Sequence, residues 1–473
     1  MNNSDVRGVT VADYSVSELI EWNEKIEKIA SECGLNYYDQ EFEIVSYDDM
    51  ISYEAYTGMP SHYPHWSYGK AYERIKSLHK YNLTGLPYEM VINSNPCLAY
   101  LMKDNTLLLQ ILTIAHVYGH NDFFKNNRLF KTATNAEYTA EMFKNHANRI
   151  REYIKDPGIG YARVEKILNS AHAIRYQTSR AIGIKTISEE EHLKRMAESN
   201  DKVKSEYPLL EYKKSKQKEI SPDLKKIPLE PEEDILYFLS LYGRFEDWER
   251  DIINIVRSET SYFLPQIETK IMNEGWASYW HYTILNKLNL PQGLHMEFLK
   301  RHNQVVLPHE GHINPYYLGF KIFNSLVKNY PENPKKIFEV RSLERDESFI
   351  RRYLTYDLCR EMNLFEYIKR SNEYMVSEVS DEEGWKSIRD TLAVNTGLGG
   401  IPVIKVLEYV KNDNSIIFEH EYDGRELELN YAYETLKHIK DLWDGKVMLS
   451  TVLDGRQKII VCDEHRRITY TDV

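Results

Sequence analysis

Cysteine is scarce in this chain, long apolar runs are missing, and positive charge is outnumbered. Four cysteines, Cys33, Cys97, Cys359 and Cys462, stand far apart in 473 residues and form no Cys-x-x-Cys pair. That excludes a disulfide framework and a thiolate zinc knuckle, and leaves each thiol as a small apolar core residue. No apolar run reaches the roughly 18 residues of a membrane span, so no span is expected. The stretch from Met1 to Asp13 lacks a basic segment followed by an apolar one, so export is not expected and a cytoplasmic location is. With 72 acidic against 60 basic residues the net charge is −12. That balance argues against sequence-independent binding to nucleic acid or to an anionic membrane surface.

What remains is a chain long enough for about two to four domains. The 36 tyrosines suit helix packing or a large, partly polar cleft. Helical periodicity dominates residues 1–187 and 234–371. Between them, 188–233 is dense in Glu and Lys and closes on Pro222, Pro228 and Pro231, the composition of a solvated helix and linker. Residues 372–473 differ in kind. Alternating runs joined by Asp423-Gly424 and again by Asp454-Gly455 predict two hairpins in a small α+β domain. The expected fold is therefore mainly α, a large helical zincin-like domain followed by that small domain.

The zincin comparison rests on His116 and His120, which end an apolar run from Leu107. Residues four apart share one face of a helix, so a buried helix would turn polar where its imidazoles begin. Paired imidazoles at that spacing hold Zn²⁺ in zincins, with a glutamate directly after the first His as general base. Here that position is Val117, so a base must come from elsewhere.

A second stretch, Ile271-Met-Asn-Glu-Gly-Trp-Ala-Ser-Tyr-Trp-His-Tyr282, supplies a carboxylate of the type and order that completes such a site. Glu274 is the expected third ligand, with Gly275 allowing close backbone approach and Trp276 and Trp280 packing behind. His281, seven residues on, shares its face, and Glu165 and His172 repeat the Glu-x6-His spacing. Seven residues return to within about 20° around a helix. The doubled pattern opens a two-iron carboxylate site as the alternative to zinc. Glu310, between His309 and His312 in the loop before Asn314-Pro315, joins Glu165 and His281 as a candidate to handle the proton. His62, His65 and His146 read more simply as packed or solvated side chains.

Several of these stretches together resemble the SpoVR (stage V sporulation protein R) family. The resemblance is carried by His65-Trp-Ser-Tyr-Gly-Lys70, Tyr88-Glu-Met-Val-Ile-Asn-Ser-Asn-Pro96, His116-Val-Tyr-Gly-His-Asn-Asp-Phe-Phe-Lys-Asn-Asn127, Met272-Asn-Glu-Gly-Trp-Ala-Ser-Tyr-Trp-His281 and His309-Glu-Gly-His-Ile-Asn-Pro-Tyr317. It covers most of residues 10–370, with a C-terminal domain similar in layout. It implies a cytosolic protein needed to form the spore cortex, the peptidoglycan layer of the endospore, and carries no established reaction. A peptide or peptidoglycan-precursor substrate follows from the metal-site reading, and cortex-assembly proteins as binding partners from a non-enzymatic one.

Overall fold

The computed structural model describes residues 13–80, 89–184, 226–308, 312–370 and 373–472. It is mainly helical, with a small C-terminal α+β region, as the periodicities predict. The charged stretch expected over 188–233 lies for most of its length, 188–225, outside the described residues. The chain makes two compact units, Met1–Tyr161 with Ser261–Gly400, and Ala162–Thr260 with Ile401–Val473. Each unit thus draws on both halves of the chain.

The first unit is built around the helix Leu107–Asn126, here the histidine helix. Thr106 caps it, its hydroxyl accepting from Leu109 N at 3.3 Å, which satisfies one of the unpaired N–H groups of a first turn. All of its residues from Leu108 to Phe124 are buried. A helix buried on every side must be surrounded by others. Its main partner is the helix Lys270–Lys287, here the glutamate helix. Their contacts run in opposite order, His116 with His281 and His120 with Asn273, so the two helices are antiparallel.

Small residues set how closely these helices meet. A Cβ on Gly119 would lie 2.6 Å from Cα of Ala277, and one on Gly275 would lie 2.3 Å from Cα of Gly319. Gly275 therefore opens the opposite face of the glutamate helix to the helix Pro315–Asn329, rather than bringing backbone to the histidines. Asn314 caps that third helix, accepting from Tyr316 N at 3.0 Å, with Pro315 at its first position. Proline fits there because its missing N–H would have had no helical partner. Aromatic side chains fill the space behind: Trp276 lies edge-on to Trp280 and to Phe323, with centroids 5.5 and 5.1 Å apart. The N-terminus of the glutamate helix is capped from a distance, because Asp346 accepts from Ile271 N at 2.8 Å and Met272 N at 2.9 Å.

A three-stranded sheet flanks the histidine helix. β1 (Gln40–Val45) runs parallel to β3 (Cys97–Met102), and β2 (Glu89–Ile92) pairs antiparallel with β3 from the other side. β2 falls within the Tyr88–Pro96 motif. A hairpin of β4 (Phe365–Arg370) and β5 (Glu373–Val379) also belongs to this unit.

The second unit holds a five-stranded sheet of β6 (Ile404–Val410), β7 (Ser415–His420), β8 (Val447–Leu453), β9 (Arg456–Cys462) and β10 (Ile468–Asp472), in the order β10-β9-β8-β7-β6. The hairpin at Asp454-Gly455 is present, with both residues at positive φ, 51° and 69°, the conformation a two-residue primed turn demands. The one expected at Asp423-Gly424 is not. β7 instead pairs antiparallel with β6 before it and parallel with β8 after it. The alternating run Glu426 to Leu429 is diverted because the Glu428 carboxylate accepts from Tyr431 N at 2.7 Å and starts the helix Leu429–Leu442.

The helix contacts generate a stability prediction. Gly119→Val should lower stability by about 1 to 3 kcal/mol through overpacking against Ala277. Gly293→Ala, whose Cβ would meet nothing within 4 Å, should leave it unchanged or slightly raised. Urea unfolding of both variants beside the parent checks the pair.

Candidate metal centre

Four side chains from three elements converge at the heart of the first unit. The histidine helix brings His116 and His120, buried at 3 % and 6 % exposure, with rings at 80° and centroids 4.6 Å apart. The glutamate helix brings Glu274, whose Oε2 is 3.7 Å from Nε2 of His116 and 3.5 Å from Nε2 of His120. The sheet brings Glu89, whose Oε1 is 3.8 Å from the same His116 Nε2. Glu89, His116 and His120 each offer a ligand atom within 4.8 Å of the others.

The atoms that face one another are bare. Nε2 of His116 and Oε2 of Glu274 are buried and hydrogen-bonded to nothing. Leaving such groups unpaired costs about 1 to 3 kcal/mol each, unless something between them satisfies both. Ligands about 2.0 to 2.1 Å from a tetrahedral cation are roughly 3.3 Å apart. The observed 3.5 to 3.8 Å separations are close to that figure. The residues present therefore fit a cation of the zinc or iron type.

The other nitrogen of each imidazole is held. Nδ1 of His120 is 2.9 Å from Oδ1 of Asn273; an amide oxygen only accepts, so Nδ1 carries the proton and Nε2 presents its lone pair. Nδ1 of His116 is 2.9 Å from Nδ1 of His281. Metal-binding histidines are oriented in this way, by a partner on the nitrogen that does not ligate.

Burial sets the protonation of the cluster. It pulls His120 down to about 4, with His116 acting the same way and Glu274 opposing. It pushes Glu89 up to about 7, against the pull of His116. It pushes Glu274 up as well, but the two imidazoles and Lys270 outweigh it and hold that carboxyl below its ordinary value. A His120 held towards its neutral form and a Glu274 held towards its ionised form are the states a metal requires of those two groups.

The cluster opens on a cavity of about 750 Å³, to which Glu54, Tyr262 and Lys270 also contribute. That is room for a small molecule or a short stretch of peptide. The Oε2 atom of Glu54 is also buried without a partner.

Of the residues singled out in the sequence, His116, His120 and Glu274 come together. His281 is also among the residues lining the cavity, but it has no exposed surface and both of its ring nitrogens are occupied, one by His116 and one by His302 at 2.8 Å. It supports His116 instead. Glu165 and His172 lie on the helix Gly160–Ile174 and neither lines the cavity; from Ala162 onward that helix is counted with the second unit. Glu310 and His309 lie outside the described residues, and His312 is exposed. His62 and His146 are buried, and His62 bonds to Tyr63 N and the Tyr68 hydroxyl.

Glu89 and His302 escaped the sequence reading. An acidic residue heading the apolar strand Met90-Val-Ile92 was a signal for the first. His302, within an amphipathic helix, gave none.

Two residues past His120, a buried acid joins the same helices and pairs with an arginine from a third. Asp122, with no exposure, accepts from Trp276 Nε1 at 2.9 Å and Asn36 N at 2.7 Å and lies 3.4 Å from Nε of Arg341. Asp122→Ala should therefore cost about 3 to 5 kcal/mol, because it strands a buried guanidinium. Chemical denaturation of the variant measures that loss.

Comparison with known proteins agrees with this architecture. The family model described as "SpoVR like protein" matches residues 13–401, and that of the "SpoVR-like C-terminal domain" matches 402–454. A relative in Escherichia coli (strain K12), "Uncharacterized protein YcgB", is 33 % identical over 488 residues, covering 95 % of this chain and 94 % of its own. No solved structure matches. The motifs around the cluster and the match along almost the whole chain place this protein in the SpoVR family.

Proposed function

We propose that this SpoVR-family protein is a metal-dependent hydrolase that cleaves an amide bond in a peptide or peptidoglycan precursor during formation of the spore cortex. The observation that carries the reading is the pair of bare buried atoms, His116 Nε2 and Glu274 Oε2, meeting at 3.7 Å with His120 Nε2 beside them. His116, His120 and Glu274 would hold the ion, zinc by donor type and number, with iron the alternative. Bound there, zinc supplies Lewis acidity toward a carbonyl and makes water acidic enough to ionise near neutral pH.

The chain's own residues supply the rest. Val117 leaves the usual base position empty, and Glu89 fills the need from a different element, its Oε1 lying 3.8 Å from the ligating edge of His116. Glu89 accepts the proton of the attacking water and returns it to the leaving amine. Asn273 holds His120 in the ligating tautomer. The cavity beside the cluster takes the substrate, with Lys270 as its cation and Tyr262 and Phe263 as its apolar wall. Membership of a family named for sporulation supports the assignment to the cortex.

Elemental analysis of protein purified without added metal should show about one equivalent of zinc per chain. His120→Ala and Glu274→Ala should lose it. Glu89→Gln should keep it while amide cleavage in a panel of peptidoglycan-precursor peptides, followed by mass spectrometry, falls about 10² to 10⁴-fold. Two equivalents of iron would replace this reading with an oxidative one. A metal-free protein whose His120→Ala variant fully supports sporulation would overturn it in favour of an assembly factor.

A further inference from the structure

Behind His116 lies a row of three imidazoles. Nδ1 of His116 is 2.9 Å from Nδ1 of His281, and Nε2 of His281 is 2.8 Å from Nδ1 of His302. His281 has no exposure and His302 has 3 %. His302 sits on the helix Gln292–Val305 and lines a second cavity of about 620 Å³, with Tyr282, Phe320 and Lys321. Its ring packs against Tyr282 and Phe320, with centroids 4.7 and 4.9 Å away.

Each nitrogen-to-nitrogen bond needs one N–H and one lone pair. Three neutral imidazoles in a row therefore have two self-consistent arrangements and no others. In the outward one, His116 Nδ1–H donates to His281, His281 Nε2–H donates to His302, and His302 carries the last proton on Nε2. The Nε2 of His116 is then a bare lone pair aimed at Glu274. In the inward one every proton sits on the opposite nitrogen, His116 Nε2 is protonated, and no cation can bind there.

We propose that His302 and His281 are positioning residues which, acting as a unit, lock His116 in the tautomer that presents Nε2 to a metal ion. This rests on the proposed metal site, whose ligand His116 is. The row does not conduct protons to a loaded centre, because an imidazole bound through Nε2 cannot pass a proton through that nitrogen. When a cation takes the His116 lone pair, all three rings must adopt the outward arrangement: His116 Nε2–H leaves to the first cavity, the protons on His281 Nδ1 and His302 Nδ1 each move one ring inward, and His302 Nε2 gains one from the second cavity. The count of bound protons on the row stays at three.

The test uses the full-length protein labelled with ¹⁵N-histidine. Long-range ¹H–¹⁵N correlation spectra of zinc-loaded protein should show protons on His116 Nδ1, His281 Nε2 and His302 Nε2. In metal-free protein the three should still agree in direction, inward or outward. His302→Phe keeps the ring but removes the acceptor, stranding His281 Nε2–H and favouring the inward tautomer at His116. Zinc affinity, measured by competition with a chromophoric chelator, should fall roughly 10 to 100-fold. His302→Asn, whose amide oxygen still accepts from His281, should restore it to within a few-fold. A His302→Phe protein that stays folded, binds zinc like the parent and leaves the His116 tautomer unchanged would overturn the proposal. So would three rings of mixed direction in the parent. If the parent binds no metal, the hydrolase reading fails by itself, while the metal-free spectra still decide whether the row acts as a unit.

Discussion

The rest of this molecule depends on the antiparallel contact between the histidine helix and the glutamate helix. At Gly119 and Ala277 the backbones approach so closely that one further carbon would collide. That approach sets the distance between His116, His120 and Glu274, because all three project into the same seam from helices whose separation is fixed. Apolar burial along Leu108 to Phe124 supplies the driving force, and the small residues supply the geometry.

The seam is polar where a core is normally apolar. His116 with His281, His120 with Asn273, and Asp122 with Trp276 each span the two helices. Buried polar groups are tolerated when they are paired, and these are, on every side but one. The unpaired side is the edge of His116 Nε2 that faces Glu274 Oε2; elsewhere on the two helices Thr113, Ser278 and Trp280 also carry a buried atom without a partner. The glycine pair Gly275 and Gly319 serves the far face. It lets a third helix brace the glutamate helix, whose N-terminus is held in turn by Asp346.

In the proposed reaction the base comes from a different element than in a zincin. A zincin helix carries its base beside its first ligand, and here that position points Val117 into the core with no exposure. The carboxylate comes instead from the end of an edge strand, β2. Antiparallel pairing of Glu89 with Leu101 fixes the register of that strand, and so where the Glu89 side chain lies against the histidine helix. A sheet and two helices thus bring their side chains to one cluster.

The sequence by itself determined the helical class, the helix start at Asn314-Pro315, the turn at Asp454-Gly455 and the shared face of His116 and His120. Each is a local matter, set by side-chain period, by a capping amide, or by positive φ in a two-residue turn. Only the tertiary structure decided that Glu89 joins the cluster, that His281 pairs with His116 and has His302 behind it, and that Glu165 belongs to another unit. Residues 89, 116, 274 and 302 are separated by long stretches of chain, and what brings them together is the packing of helices and the pairing of strands. That packing depends on volumes and distances between elements, which the period of any one segment does not encode.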